Sequence, residues 1–167
     1  MKNIKTILGA QLTSILLATA LSTYGTAASE VPFKGSLQGP FIITPLTPPE
    51  AHVLIEGTGN ATHLGRFTVE IPHLVSFATF TGSGTYVFTA ANGDTLTADF
   101  TGVATPTGNP DELAIVENAI VTGGTGRFQG ATGSFTVVRL AQLAGPTAGV
   151  TTGSFSGSIV FSKAKKN

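Results

Sequence analysis

The chain has no cysteine and no tryptophan among its 167 residues. Without thiols it can form no disulfide, offers no thiolate nucleophile and brings no cysteine ligand to a metal. Its stability must come from packing and backbone pairing. Charge is scarce too: Asp, Glu, Lys and Arg make up 11% of the sequence, with a formal net charge of zero. Such a balance gives no basic field for nucleic acid and no attraction to anionic lipid. Leu and Lys are too sparse, and Gly (21 residues) too frequent, for a helical bundle.

One apolar run stands out. Lys2 and Lys5 precede an uncharged stretch from Ile7 to Leu21, and small residues lead to Ala27-Ala28 just before Ser29. That order is the pattern of a cleaved secretory signal peptide over residues 1–28. Its apolar core is about 15 residues, short of the ~20 needed to span a bilayer. The expected location is therefore secreted or periplasmic, with no stable membrane insertion after cleavage. No cysteine lies near the cleavage point to carry a lipid anchor. Beyond residue 28 seven Lys and Arg face nine Asp and Glu, a net charge of −2.

What remains is rich in Thr, Gly, Phe and Val, which suit a pleated surface broken by turns. Residues 29–50 contain Pro40, Pro45, Pro48 and Pro49 and read as a Pro-rich arm with at most a first strand. From 51 to 162, short alternating runs follow one another: Ala51 to Glu56, Thr62 to Ile71, Leu74 to Thr81, Thr85 to Ala91, Thr95 to Val103, Phe128 to Leu140 and Thr151 to Phe161. Gly57 to Asn60 reads as one turn, and Asn92-Gly93-Asp94 as a hairpin turn of type I′. Pro72 reads as a strand end. Asp111 to Thr122 is ambiguous: Asn109-Pro110-Asp111 resembles a helix start, whereas Ile115, Val116, Ile120 and Val121 favour a strand. Lys163, Lys165 and Lys166 form a basic tail at 163–167.

About eight strands with period-2 alternation predict an all-β domain. Closure into an antiparallel up-and-down β-barrel removes the exposed edges an open sheet would leave. A β-sandwich is the alternative. A membrane barrel would carry Tyr and Trp girdles, and beyond residue 28 the only such residue is Tyr86.

The stretch Val121-Thr122-Gly123-Gly124-Thr125-Gly126-Arg127-Phe128-Gln129-Gly130-Ala131-Thr132-Gly133 resembles the signature of allene oxide cyclase and dirigent-like β-barrels. In these a strand ends in Gly-Gly-[Thr/Ser]-Gly, followed by Phe, a small residue and an Ala-x-Gly kink. The resemblance implies a calycin-like closed barrel in an exported, bacterial-type member. The cyclases rearrange an oxidised fatty acid in an apolar lumen, and dirigent proteins steer phenoxy-radical coupling with acidic and basic lumen groups. None of their functional residues can be matched to a position here, and the lumen cysteine of the cyclases has no counterpart.

Several residues are candidates for chemistry. A hairpin closed by Gly57 to Asn60 would place residue 54 opposite 63 and 56 opposite 61. That brings His52, Glu56 and His63 onto one face, as ligands for a metal such as zinc or as an acid–base pair. The alternative is a set of solvated polar residues beside a turn. Glu117 and Asp99 lie within strands, where a carboxylate facing the lumen could act as an acid and one facing out would be solvated. With His63 they are the catalytic candidates. His73, beside Pro72, reads as a surface-loop residue. Arg66, Arg127 and Arg139 could meet an anionic ligand. Asn60-Ala61-Thr62 fits a glycosylation sequon. Among the 11 Phe residues, Phe88, Phe100, Phe128 and Phe135 are candidates to line a ligand cavity, with core filling as the alternative.

No cofactor is implied. The leading expectation is a barrel that holds a small apolar ligand in its lumen. A structural module acting through surface contacts is the alternative, and an enzyme of cyclase or isomerase type comes after it. Assembly into a homo-oligomer is compatible with a glycine-rich barrel.

Overall fold

The computed structural model describes residues 29–162; the expected signal segment and basic tail lie outside them. Eight strands follow in chain order: β1 (Glu30–Pro45), β2 (Glu50–Ala61), β3 (Gly65–Ser76), β4 (Thr81–Ala90), β5 (Thr95–Pro106), β6 (Glu112–Gly124), β7 (Thr132–Leu143) and β8 (Ala148–Val160). Each pairs antiparallel with the next, and β8 returns to β1, so the sheet closes on itself. The architecture is the expected all-β up-and-down barrel, not a sandwich. A single 3-10 turn, Gly126–Phe128, is its one helical element among the described residues.

Strand inventory differs from expectation where proline and glycine were read as breakers. The Pro-rich stretch is a full wall of the barrel: β1 pairs with β8 without interruption from Glu30↔Val160 to Ile42↔Ala148. Pro32 and Pro40 point outward, and the ladder to β2 is broken only at Gly39-Pro40. A missing N–H is tolerated where the ladder is already interrupted. Pro72 repeats the device. It lies within β3, pairs with Leu54 on the β2 side, and coincides with a gap in the ladder to β4 between Glu70↔Val87 and His73↔Gly84. The runs expected on either side of Pro72 therefore form a single strand.

Gly57 to Asn60 is not a turn but part of β2. Gly57 and Gly59 sit opposite Val69 and Phe67, and a Cβ at Gly59 would collide with the Phe67 ring. These glycines make room inside the barrel. The β2–β3 turn is Thr62-His63-Leu64, with His63 at φ 63°. The Asn92-Gly93-Asp94 turn is found as expected, and the ambiguous segment is strand β6. β7 starts only at Thr132, because Gly126–Phe128 coils and turns Phe128 into the interior.

Alternation fills the lumen unevenly. At the end carrying the β2–β3, β4–β5 and β6–β7 turns, Phe33, Phe67, Phe88, Phe135 and Phe155 form one aromatic cluster. Ring centroids are 5.0 Å apart for Phe33–Phe155, 5.2 Å for Phe67–Phe88 and 5.5 Å for Phe135–Phe155. Buried Leu64 and Phe128 lie in the turns at this end, which is closed by apolar packing. The opposite end, carrying the β1–β2, β3–β4, β5–β6 and β7–β8 loops, is where the interior becomes polar and then empty.

Candidate functional site

The inward phase of β3 runs Phe67, Val69, Ile71, His73; that of β6 runs Val121, Ala119, Glu117; that of β7 runs Phe135, Val137, Arg139. Three polar side chains thus enter the lumen where an apolar residue would continue the pattern. His73, Glu117 and Arg139 are 6%, 2% and 4% exposed. Each has glycine as its cross-strand partner: His73↔Gly84, Gly102↔Glu117 and Arg139↔Gly153. The missing side chains opposite leave the volume that these long or bulky groups occupy.

Glu117 pairs with Val137, so Arg139 is its diagonal neighbour, within reach of a long side chain. The guanidinium grips the carboxylate with two bonds: Nη2 donates to Oε1 at 2.6 Å and Nε donates to Oε2 at 3.1 Å. Arg139 Nη1 donates a longer bond, 3.4 Å, to Thr151 Oγ1. From β4 the Tyr86 hydroxyl donates to Glu117 Oε2. The Tyr86 ring lies flat on Phe88, centroids 5.4 Å apart and planes 5° from parallel, so it joins the aromatic cluster to the polar group. No buried side-chain N or O among the described residues lacks a partner. A buried ion pair is tolerable only with partners for its polar atoms, and here each buried one has at least one.

The electrostatics follow from this packing. Burial disfavours the charged guanidinium, but Glu117 beside it outweighs that and holds Arg139 above its ordinary range. Burial, reinforced by the Glu117 charge, pushes the Tyr86 hydroxyl well above the usual phenol value. Burial lowers His73, opposed only in part by its bond to Ile71, and nearby Arg139 lowers it further. His73 Nδ1 lies 2.9 Å from the Ile71 carbonyl oxygen. A carbonyl only accepts, so Nδ1 carries the proton and Nε2 presents a lone pair. The imidazole also meets the Phe100 ring edge-on at 5.7 Å.

Above this floor lies a cavity of about 110 Å³. Its walls are Phe41, Ile43, Val53, Val75, Ile115 and Leu143, with His73, Glu117 and Arg139 at the base and Phe77 and Phe80 at the β3–β4 loop. Phe77 and Phe80 are large apolar residues left exposed at the mouth. The chamber is apolar with a few convergent polar groups at its deep end, the usual make-up of a small-molecule site.

Of the sequence candidates, Glu117 and Arg139 belong to this site. Asp99 faces outward and accepts a 2.8 Å hydrogen bond from Thr85 Oγ1. His52 and Glu56 lie on the outer face of β2, paired with Leu74 and Glu70, while His63 is in the turn with its ring 5.4 Å from Phe161. Once the turn shifts from 57–60 to 62–64, the expected register is lost, and the three do not converge. Among the described residues no three His, Asp or Glu side chains gather as a metal site. Phe88, Phe128 and Phe135 are packed in the closed half and Phe100 lies against Tyr86 and His73; none of the four lines the cavity. Arg66 and Arg127 are exposed, and only Arg139 of the three arginines turns inward.

His73 and Tyr86 were not anticipated as site residues. Strand phase would have found both: His73 continues the Phe67–Val69–Ile71 face, and Tyr86 shares the inward face with Phe88 and Ala90.

No protein-family model matches the chain, and no curated protein matches it either. Among solved structures it is similar to a pterocarpan synthase dirigent protein, with a TM-score of 0.53 and 13% identity. The likeness covers 83% of this chain and 88% of that one. The fold is thus a dirigent-like eight-stranded barrel, as the Gly123 to Gly133 stretch implied.

Proposed function

We propose that the protein binds a small, largely apolar molecule in the mouth half of its barrel. One observation carries this reading. The closed half is filled by interlocked phenylalanines, whereas the mouth half leaves a cavity of about 110 Å³ with apolar walls and a polar floor. A lumen needed only for stability would be packed throughout, since voids cost stability. The dirigent-like fold supports a binding role in the same general sense. Export through residues 1–28 belongs to the proposal: a secreted or periplasmic carrier.

Native mass spectrometry of the chain purified from its producing host tests both parts. The expected result is a mass beginning at Ser29 together with a small co-purified species that is lost on denaturation. A bare protein that also fails to take up any added apolar compound would refute the carrier role.

A second reading, a surface-contact module, draws on a different feature. Val103, Val116 and Val138 face outward as direct cross-strand neighbours on β5, β6 and β7, exposed to 54%, 47% and 56%. As a catalytic acid Glu117 would first have to give up the hydrogen bonds its carboxylate accepts from Arg139 and Tyr86.

A further inference from the structure

The floor of the cavity offers an acceptor and a donor, and its charges cancel. The acceptor is His73 Nε2: Nδ1 is committed to the Ile71 carbonyl, and Nε2 has no hydrogen-bond partner among the described residues. It is not a sealed, unsatisfied atom either, since no such atom is present among them. His73 lines the cavity, so Nε2 is open to an occupant. The donor is Arg139 Nη1, which makes only the 3.4 Å bond to Thr151 and retains a second N–H. The guanidinium charge is already matched by Glu117 through two bonds. An anionic head group would lose its hydration and gain no uncompensated cation in return. A cationic head group would lose its hydration in the same way, next to the Arg139 guanidinium and with a Glu117 carboxylate already committed to it.

Resting on the carrier reading, we infer that the site selects a neutral hydroxyl group on an apolar body, the hydroxyl donating to His73 Nε2 and accepting from Arg139 Nη1. His73 is then the residue that sets specificity. It distinguishes an alcohol from an ether of similar shape, because only the alcohol supplies a proton for Nε2. The Arg139–Glu117 pair excludes carboxylates.

The test uses three probes that share one ring: cyclohexanol, methoxycyclohexane and cyclohexanecarboxylate. Their affinities are compared by calorimetry at neutral pH. The expected order is alcohol, then ether, then carboxylate, with the alcohol about fivefold tighter than the ether, the value of one hydrogen bond. In His73→Phe the alcohol and ether should bind equally. An ether that binds as well as the alcohol to the unaltered protein, or a carboxylate that binds best, overturns the inference and leaves the carrier reading standing. Failure of all three probes to bind counts instead against the carrier reading itself. Since the probe series needs no variant, a folding defect in His73→Phe does not shield the inference.

Discussion

Gly102 lies directly across the β5–β6 ladder from Glu117, and a Cβ at position 102 would come within 2.5 Å of Glu117 Cγ. Gly84 stands in the same relation to His73 and Gly153 to Arg139, with the added Cβ meeting the Cβ of each partner. The polar floor therefore depends on three glycines whose service is space. Gly102→Ala should push Glu117 off the Arg139 guanidinium and destabilise the fold by about 1–3 kcal/mol, in the range of overpacked cores. Urea denaturation measures it; an unchanged midpoint would mean the strands separate freely to admit the methyl.

The Glu117–Arg139 pair should show the asymmetry of buried ion pairs. Arg139→Met alone strands a buried carboxylate and should cost about 3–5 kcal/mol. The double change Glu117→Leu with Arg139→Met should be less damaging than either single one, because both charges leave together. A double-mutant cycle by denaturation reads the difference, and strictly additive losses would show that the two residues act independently.

Tyr86→Phe removes the hydroxyl that donates to Glu117 Oε2 while keeping the ring stacked on Phe88. A hydrogen bond to a charged group contributes about 1.5–3 kcal/mol, and the loss should fall in that range. Stability equal to that of the original chain would place Glu117 in contact with another donor.

Much of the barrel is legible in the sequence, and the exceptions have one physical cause. The alternation of Leu96, Ala98 and Phe100, the Asn92-Gly93-Asp94 turn and the Gly123 to Gly133 stretch all led to the observed elements. Proline and glycine misled wherever local rules gave way to tertiary context. Pro40 and Pro72 sit where the ladder to one neighbour is already open. Gly57 and Gly59 reserve volume for Val69 and Phe67. Reading Pro72 as a strand end moved His73 to a loop, and reading Gly57 to Asn60 as a turn assembled His52, Glu56 and His63 on paper. Arg139 and Glu117 stood out by residue type alone; the face each presents and their pairing needed the strand phase and the β6–β7 register, which no local signal specifies.

Two buried groups should shape stability against pH. His73 has a folded pKa below its unfolded value of 6.5, so the unfolded chain takes up the proton first. Stability is complete above about 6.5 and declines as pH falls from there toward the lower folded value. Tyr86 is raised above 10.0, so the unfolded chain loses its proton first and stability declines as pH rises past 10. Denaturation midpoints from pH 4 to 11 should show a plateau between these limits. His73→Phe should remove the decline that starts near 6.5, and a decline unaffected by that change would assign it to other groups.

The central claim is that the mouth half of the lumen admits an apolar guest above the polar floor. A ¹H–¹⁵N chemical-shift titration with cyclohexanol tests it residue by residue. Occupancy of the cavity predicts shifts at Val75, Gly82, Gly102, Leu113 and Leu143, all of which line it, together with the Arg139 Nε–H. Shifts confined to the outer face around Val116 and Val138, or none at high probe concentration, would contradict it.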